Sequence, residues 1–367
     1  MKYIDEYRNP ELVRGLLDAV SILAAGIGRD VALMEICGTH THAIGRYGIR
    51  RLLPKNLRLI AGPGCPVCVI SIRDVDRALY LAGLPEVIFA TFGDMLRVPG
   101  TGGESLQHLR AAGADVRVIS SAADAVRFAA ENPGRQVILM GIGFETTTPT
   151  VAAAILSARR KGVGNFSVFS VHKTVPQAIR ALIEDPELRI DGFLCPGHVS
   201  IITGVEAYQM IPKAGRAAVI TGFEPADVAE GILMLLRQIM EERFEVAIQY
   251  VRGPKAEGNL KAREVMAEVF EPGDADWRGL GVIPGSGLFI RKAYQAFDAL
   301  KRFTLPQIRS IEFRGCRCGE ILRGVMAPAE CHLFMKACTP SNPVGPCMVS
   351  GEGTCAAYYK YERTSDR

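Results

Sequence analysis

Short apolar runs recur through the first three quarters of the chain, each closed by a Gly- or Pro-marked turn and followed by a stretch with helical spacing. That alternation is the mark of strands and helices laid down in turn. Residues 31–36, 57–61, 87–91, 116–120, 137–141, 166–171, 192–195, 217–221 and 246–251 read as strands. They are apolar almost without a break, as strands are when both faces of a parallel sheet are covered. Between them, residues 72–81, 104–112, 122–131, 150–161, 177–184 and 225–243 have amphipathic or small-residue helical character. So many strands are a large number for one sheet. A break near residues 145–165 gives two Rossmann-like α/β lobes, expected over residues 1–150 and 151–255, with no repeat relating them.

The pattern changes from about residue 252: residues 252–259 are loop-like, 260–270 read as a helix, and 270–286 hold Pro272, Gly273, Gly279, Gly281, Pro284 and Gly285, which mark a boundary. Beyond Arg314, Cys, Gly and Pro displace strand patterning. A small cysteine-rich domain is therefore expected within residues 256–367, folded around something other than a large apolar core.

Composition adjusts this picture little. A chain of 367 residues is too long for one ordinary core, and 48% hydrophobic with 22% charged residues is an ordinary globular mixture. The net charge of +4 comes without any Lys/Arg run that reaches five, so nothing calls for nucleic acid or anionic lipid. The opening residues are polar and no apolar run approaches about 18 residues, so no secretion signal or membrane span is expected and the chain reads as cytoplasmic. Cysteine does change the picture, because ten are many for a reducing compartment, where clustered cysteines bind metal or do redox chemistry. Cys316, Cys318, Cys331, Cys338, Cys347 and Cys355 crowd the tail, Cys65 and Cys68 form a pair, and Cys37 and Cys195 stand alone.

Ligands of open parallel sheets sit beyond the carboxyl ends of the strands. The residues just past the apolar runs read Cys37-Gly38-Thr39-His40-Thr41-His42, Gly62-Pro63-Gly64-Cys65-Pro66-Val67-Cys68, Phe92-Gly93-Asp94, Gly143-Phe144-Glu145-Thr146-Thr147, His172-Lys173, Pro196-Gly197-His198-Val199-Ser200 and Gly222-Phe223-Glu224. Thiols, carboxylates and imidazoles are expected to converge there on one cleft. Cys37 ends a strand and opens a helix, where free N–H groups and the helix dipole favour a thiolate able to ligate a soft metal. The other reading of Cys37 is a small buried side chain at a tight turn. His40 is placed to share the ion or orient the thiolate, while His40 and His42 are each equally open to being satisfied histidines of core or surface.

Cys65 and Cys68 have the spacing of disulfide oxidoreductases, with one sulfur at a helix start and the other a turn inside; half a zinc site is the alternative. No P-loop or complete dinucleotide fingerprint accompanies these loops, which leaves ATP and NAD chemistry without support. Glu145 can cap a helix or act as an acid or base, and Asp94, Glu224 and His198 carry the same two readings. In the tail, Cys316, Cys331, Cys338 and Cys355 are separated by 14, 6 and 16 residues. Four thiolates suit a [4Fe-4S] cluster; zinc also takes four sulfurs but favours two close pairs. Cys318 and Cys347 remain, and a redox-active pair beside a cluster is one use for them.

Taken in order, Cys37-Gly38-Thr39-His40, Gly62 through Cys68, Gly143-Phe144-Glu145-Thr146-Thr147, Pro196-Gly197-His198-Val199-Ser200, Gly222-Phe223-Glu224 and the tail from Phe313-Arg314-Gly315 through Pro346-Cys347-Met348-Val349-Ser350-Gly351-Glu352-Gly353-Thr354-Cys355 resemble the HypD family of hydrogenase expression/formation proteins over essentially the whole chain. The resemblance implies assembly of the Fe(CN)2CO part of the [NiFe]-hydrogenase active site, on a scaffold shared with the small chaperone HypC and supplied with cyanide by HypE. It further implies that Cys37 binds the iron, that Cys65 and Cys68 are a thiol-disulfide pair, and that Cys316, Cys331, Cys338 and Cys355 hold a [4Fe-4S] cluster. Cys318 and Cys347 match a redox pair beside that cluster, an arrangement similar to ferredoxin:thioredoxin reductase. The candidate catalytic set is Cys37, His40, Cys65, Cys68, Glu145 and His198; Cys195 falls in no motif and reads as structural. Two other functions stay open, a cluster-dependent protein disulfide reductase in which Cys37 is incidental, and a zinc-stabilised binding module.

Overall fold

A computed structural model describes residues 4–362. The strands are β1 (Val31–Glu35), β2 (Leu57–Ala61), β3 (Val87–Thr91), β4 (Val116–Val118), β5 (Gln136–Gly141), β6 (Phe166–Ser170), β7 (Gly192–Pro196), β8 (Ala217–Thr221), β9 (Val246–Ile248), β10 (Phe270–Trp277) and β11 (Gly281–Ile290). Two parallel sheets, ordered β2-β1-β7-β8-β9 and β4-β3-β5-β6, make the expected α/β architecture, and β10 pairs with β11 as an antiparallel hairpin. Strands such as β3, β7 and β8 are buried at every position, which is why their sequences are continuously apolar.

The sheets do not divide the chain at residue 150 as expected. After β1 and β2 the chain leaves to build all of β3 to β6, then returns, and β7 pairs with β1 through Leu33–Gly192, Met34–Phe193 and Glu35–Leu194. An apolar run announces a strand but not its neighbour, because pairing is settled by contacts distant in sequence.

Two of the longer elements lie outside the predicted ones. The helix Pro10–Ile27 starts where the Asn9 side chain accepts the Glu11 N–H at 2.8 Å, and ends at Gly28 with φ 70°. It buries Leu17, Val20 and Ala24 in the same core as the helix Pro225–Met240. The hairpin occupies residues read as a boundary loop. It tolerates Pro272 and Gly273 beside a register shift, and is anchored by Trp277, which is fully buried and donates from Nε1 to Ser286 Oγ at 2.8 Å. It bridges the lobes, since Lys173 meets Gly287 and Ile70 meets Trp277 across isolated β-bridges. Past Arg314 the chain has short helices and turns, including Cys318–Arg323 and Thr354–Tyr361, as the loss of strand patterning predicts.

Candidate functional site

The chain runs from β1 to β2 on one side, while β7 lies on the other, so the crevice beyond β1 and β7 is the switch point of the five-stranded sheet. Cys37 follows β1 and His198 follows β7, and Cys37 Sγ lies 3.9 Å from His198 Nδ1. Cys37 has extended backbone (φ −161°) and precedes the helix Gly38–Arg46. The Gly62-Pro63-Gly64 loop seals it from one side: Gly38 N donates to Gly64 O at 2.9 Å, and a β-carbon on Gly64 would collide with the backbone N and Cα of Cys37. Close backbone approach is what demands glycine there.

A residue absent from the sequence reading holds this turn. Glu35 is fully buried; its Oε2 accepts the Cys37 N–H at 3.0 Å and its Oε1 accepts the Thr41 hydroxyl. Burial pushes its carboxyl up to about 8. A lone carboxylate inside an apolar strand was the signal that could have found it.

The thiolate expectation for Cys37 is corrected by the same physics. Burial pushes its thiol up to about 12, although the His40 backbone N–H and the Thr39 hydroxyl pull the other way. A metal cation would supply the missing stabilisation. The expectation that His40 orients the sulfur through its ring is also corrected: its Nε2 donates to Gly222 O at 2.9 Å, its Nδ1 is buried without a partner, and the imidazole facing the thiol is that of His198. Both rings pack on Phe223, with centroids 4.8 and 5.2 Å away, and burial pushes both down to about 4, so they are neutral near pH 7.

The chemistry does not gather in one cleft. Asp94, Glu145 and the His172-Lys173 pair follow strands of the other sheet. Asp94 is exposed. Glu145 is buried and accepts the Val175 N–H at 3.0 Å, so it caps the helix Val175–Glu184 instead of the helix after its own strand. Burial pushes its carboxyl up to about 7. Glu224 pairs with Arg8 and precedes the helix Pro225–Met240. His42 Nε2 meets the Tyr361 hydroxyl at 2.8 Å. Cys195 is fully buried in the apolar core.

The remaining sulfurs form a continuous array of free thiols. Cys65 and Cys68 sit in a tight turn and not at the predicted helix start, with Cys68 N donating to Cys65 O at 3.1 Å. Both are buried, and Cys68, Cys347 and Cys318 act on one another in sequence, burial and neighbouring thiols raising Cys68 while Cys347 lowers it. Cys316, Cys318, Cys331, Cys338 and Cys355 line one small, tightly closed pocket. Gly345 lets the sulfurs approach, since a β-carbon there would lie 2.7 Å from the sulfurs of both Cys316 and Cys318. Among the described residues no three His, Cys, Asp or Glu side chains gather tightly enough for a single ion. The donor set of the pocket, Cys316, Cys331, Cys338 and Cys355 among its lining, suits a polynuclear iron-sulfur group in which each thiolate takes its own iron. The tail also touches the crevice: Thr39 Oγ1 donates to Glu352 Oε1 at 2.7 Å, and Glu352 packs on Gly38. No helix among the described residues is long and apolar enough to cross a membrane.

Comparison with known proteins agrees with this arrangement of motifs. The family model described as "HypD: Hydrogenase formation hypA family" matches residues 11–362. The chain is 47% identical to hydrogenase maturation factor HypD2 of Bradyrhizobium diazoefficiens, over all of this chain and 98% of the relative. It is 48% identical to hydrogenase maturation factor HypD of Azotobacter vinelandii, over 99% of this chain and 97% of the relative. It is 44% identical to hydrogenase maturation factor HypD of Escherichia coli, over 99% of each. The chain belongs to the HypD family, whose curated members are hydrogenase maturation factors.

Proposed function

We propose that this chain is a redox-active scaffold, working in the cytoplasm, on which the Fe(CN)2CO part of a [NiFe]-hydrogenase site is assembled with HypC and HypE as partners. The observation that carries this reading is the Cys37–His198 pair at the switch point, joined through Thr39 and Glu352 to a tail whose thiols run back to Cys68. Iron, as cargo, would be taken by the Cys37 thiolate with His198 beside it, in a buried crevice that leaves its other positions to small ligands. Cyanide arriving as a thiocyanate on a partner's sulfur is freed when the S–C bond breaks. The Cys65–Cys68 dithiol gives two electrons and two protons, so that a thiol, HCN and the Cys65–Cys68 disulfide result. Exchange with the Cys318–Cys347 dithiol restores the first pair. Cys316, Cys331, Cys338 and Cys355 would hold a [4Fe-4S] cluster, which when bound supplies single electrons.

The test is an infrared spectrum of the protein co-produced with its HypC partner. CN and CO bands are expected in the parent and absent from Cys37→Ala, with tail iron unchanged between them. Full-strength bands in Cys37→Ala would make Cys37 a packing residue and move the cluster-dependent disulfide reductase ahead. Alkylation mapping in reducing and oxidising buffers should find Cys65 and Cys68 alternately free and joined; free thiols in both states would remove the dithiol from the scheme.

A further inference from the structure

The returning strand of the β10–β11 hairpin is rooted beside β6: Ser170 Oγ donates to Leu288 O at 2.7 Å, the Leu288 N–H to His172 O at 3.2 Å and the Thr174 N–H to Ser286 O at 2.9 Å. From that base the hairpin carries its tip, Arg278-Gly279-Leu280, to the two thiol pairs. The Arg278 backbone N–H donates to Val69 O at 2.9 Å and its Nε donates to Ile70 O at 3.0 Å, which fixes the segment that leaves Cys68. The next residue, Gly279, stacks on Gly319, the residue after Cys318. A β-carbon on Gly319 would lie 2.9 Å from Gly279 Cα, and one on Gly279 would lie 2.2 Å from Gly319 Cα. Trp277, just before the tip, shares one apolar cluster with Cys65, Cys68, Cys318 and Cys347. The Cys65–Cys68 turn and the tail come from distant stretches of chain, yet both are located against one element that is anchored in the four-stranded sheet. Exchange between two dithiols depends on how their sulfurs approach, and an error of about 1 Å in such a placement can cost on the order of a hundredfold in rate.

We propose that the hairpin tip is the positioning element for exchange between the Cys65–Cys68 and Cys318–Cys347 pairs, Arg278 fixing the first pair and the Gly279–Gly319 contact the second. The inference rests on the exchange step given above. In that step the two tail thiols give two electrons and two protons to the Cys65–Cys68 disulfide, which opens as the Cys318–Cys347 disulfide closes. The tip takes no part in the chemistry and sets only the approach of the sulfurs.

Full-length, iron-loaded protein oxidised at both pairs would be mixed anaerobically with dithionite, quenched in acid at intervals and alkylated, so that peptide mapping follows each pair against time. In the parent, Cys318 and Cys347 should be freed first and Cys65 and Cys68 soon after. Cys347→Ser, which cannot pass electrons on by exchange, gives the rate of direct reduction of Cys65–Cys68. Gly319→Ala suits its helix but forces the tail off the hairpin, and should lengthen the second step by about tenfold or more while the first keeps its rate. Arg278→Met, which has no donor for Ile70 O, should slow the same step, and it decides the matter if Gly319→Ala does not fold. Arg278→Gln sets an amide N–H where Nε stands and should recover the parent's rate without the charge. Gly351→Ala, with nothing within 4 Å, should change neither step. The parent's lag in both Gly319→Ala and Arg278→Met, or equal slowing of both pairs, overturns the role of the tip. A parent that frees Cys65 and Cys68 no faster than Cys347→Ser overturns the exchange reading itself and this inference with it, so the two failures are told apart.

Discussion

Cys37 is held by a strand, a helix and a glycine loop, whereas the cavity thiols of the tail are held by turns and by the first residues of two short helices. Around Cys37, β1 is paired on both sides, the buried Glu35 fixes the turn, and the Gly62-Pro63-Gly64 loop closes on it through backbone. Around the cavity, Cys316 and Cys331 are partly exposed, Met335 takes a positive φ of 59°, and regular structure is limited to short helices. The difference is one of preorganisation. The crevice is built by the apolar core and exists before its cargo, while the tail, seated on that core by a few side chains, is otherwise joined by turns and depends on what its thiols enclose.

The largest expected effect tests that contrast directly. Cys338→Ala should lose the tail iron outright, since metal binding at a structural site is worth on the order of 10 kcal/mol and is part of folding there. Amide exchange should then accelerate across residues 316–355 while β1, β7 and the helix Gly38–Arg46 keep their protection. Equal acceleration in both regions would break the comparison.

The next effect compares two glycines. Gly64→Ala drives a methyl into the Cys37 backbone and should cost about 3 kcal/mol, as overpacking of a rigid core does. Gly351→Ala, in a tail turn with nothing within 4 Å, should stay within about 0.5 kcal/mol of the parent. Denaturant midpoints measure both; a costly Gly351→Ala would mean that the tail is packed as tightly as the crevice.

This contrast also explains what the sequence discloses. The strands β1, β3, β5, β6, β7 and β8 are legible because each is a buried apolar run, and their ends carry the motifs. The helix Pro10–Ile27 was legible too, since Asn9, Pro10 and Gly28 mark its limits, yet it lies outside the predicted helices. Interleaving of the sheets is not legible, because periodicity carries no pairing information. The β10–β11 hairpin is masked by Pro272, Gly273, Pro284 and Gly285, residues of low strand propensity that hold their place through Trp277 and Ile283 in the core. The motif residues His40 and Glu145 were found and their partners were not: Gly222 and Val175 are reached only through the fold.

A smaller effect depends on pH. Burial raises the Glu145 carboxyl from 4.5 to about 7. The folded chain therefore keeps a proton that the unfolded chain has released between about pH 4.5 and 7, and stability falls as pH rises through that window. Glu145→Gln should remove the fall, and its stability relative to the parent should grow by on the order of 3 kcal/mol across it. His172 and His198, pushed down by burial to about 3 and about 4, act in the opposite sense. Both proteins carry them, so subtracting parallel denaturant titrations cancels their contribution. A flat difference would mean that Glu145 is ionised at little cost.

The smallest effect concerns the seam between the two regions. The hydroxyl of Tyr361, on the helix that carries Cys355, meets His42 Nε2 at 2.8 Å on the helix that Cys37 opens. Burial lowers the His42 imidazole, so near pH 8 its ring is neutral and shares one hydrogen bond with the hydroxyl. Tyr361→Phe should then cost about 1 kcal/mol, the usual net worth of one hydrogen bond. If the tail is ordered by what it binds, the cost belongs to the tail's docking and must vanish when docking is already lost. A double-mutant cycle with Cys338→Ala measures this: the Tyr361→Phe penalty should disappear in the iron-free background. An undiminished penalty there would show that the Thr354–Tyr361 helix stays seated without the cluster, and would place the border between preformed and metal-ordered structure before Cys355, not at Arg314.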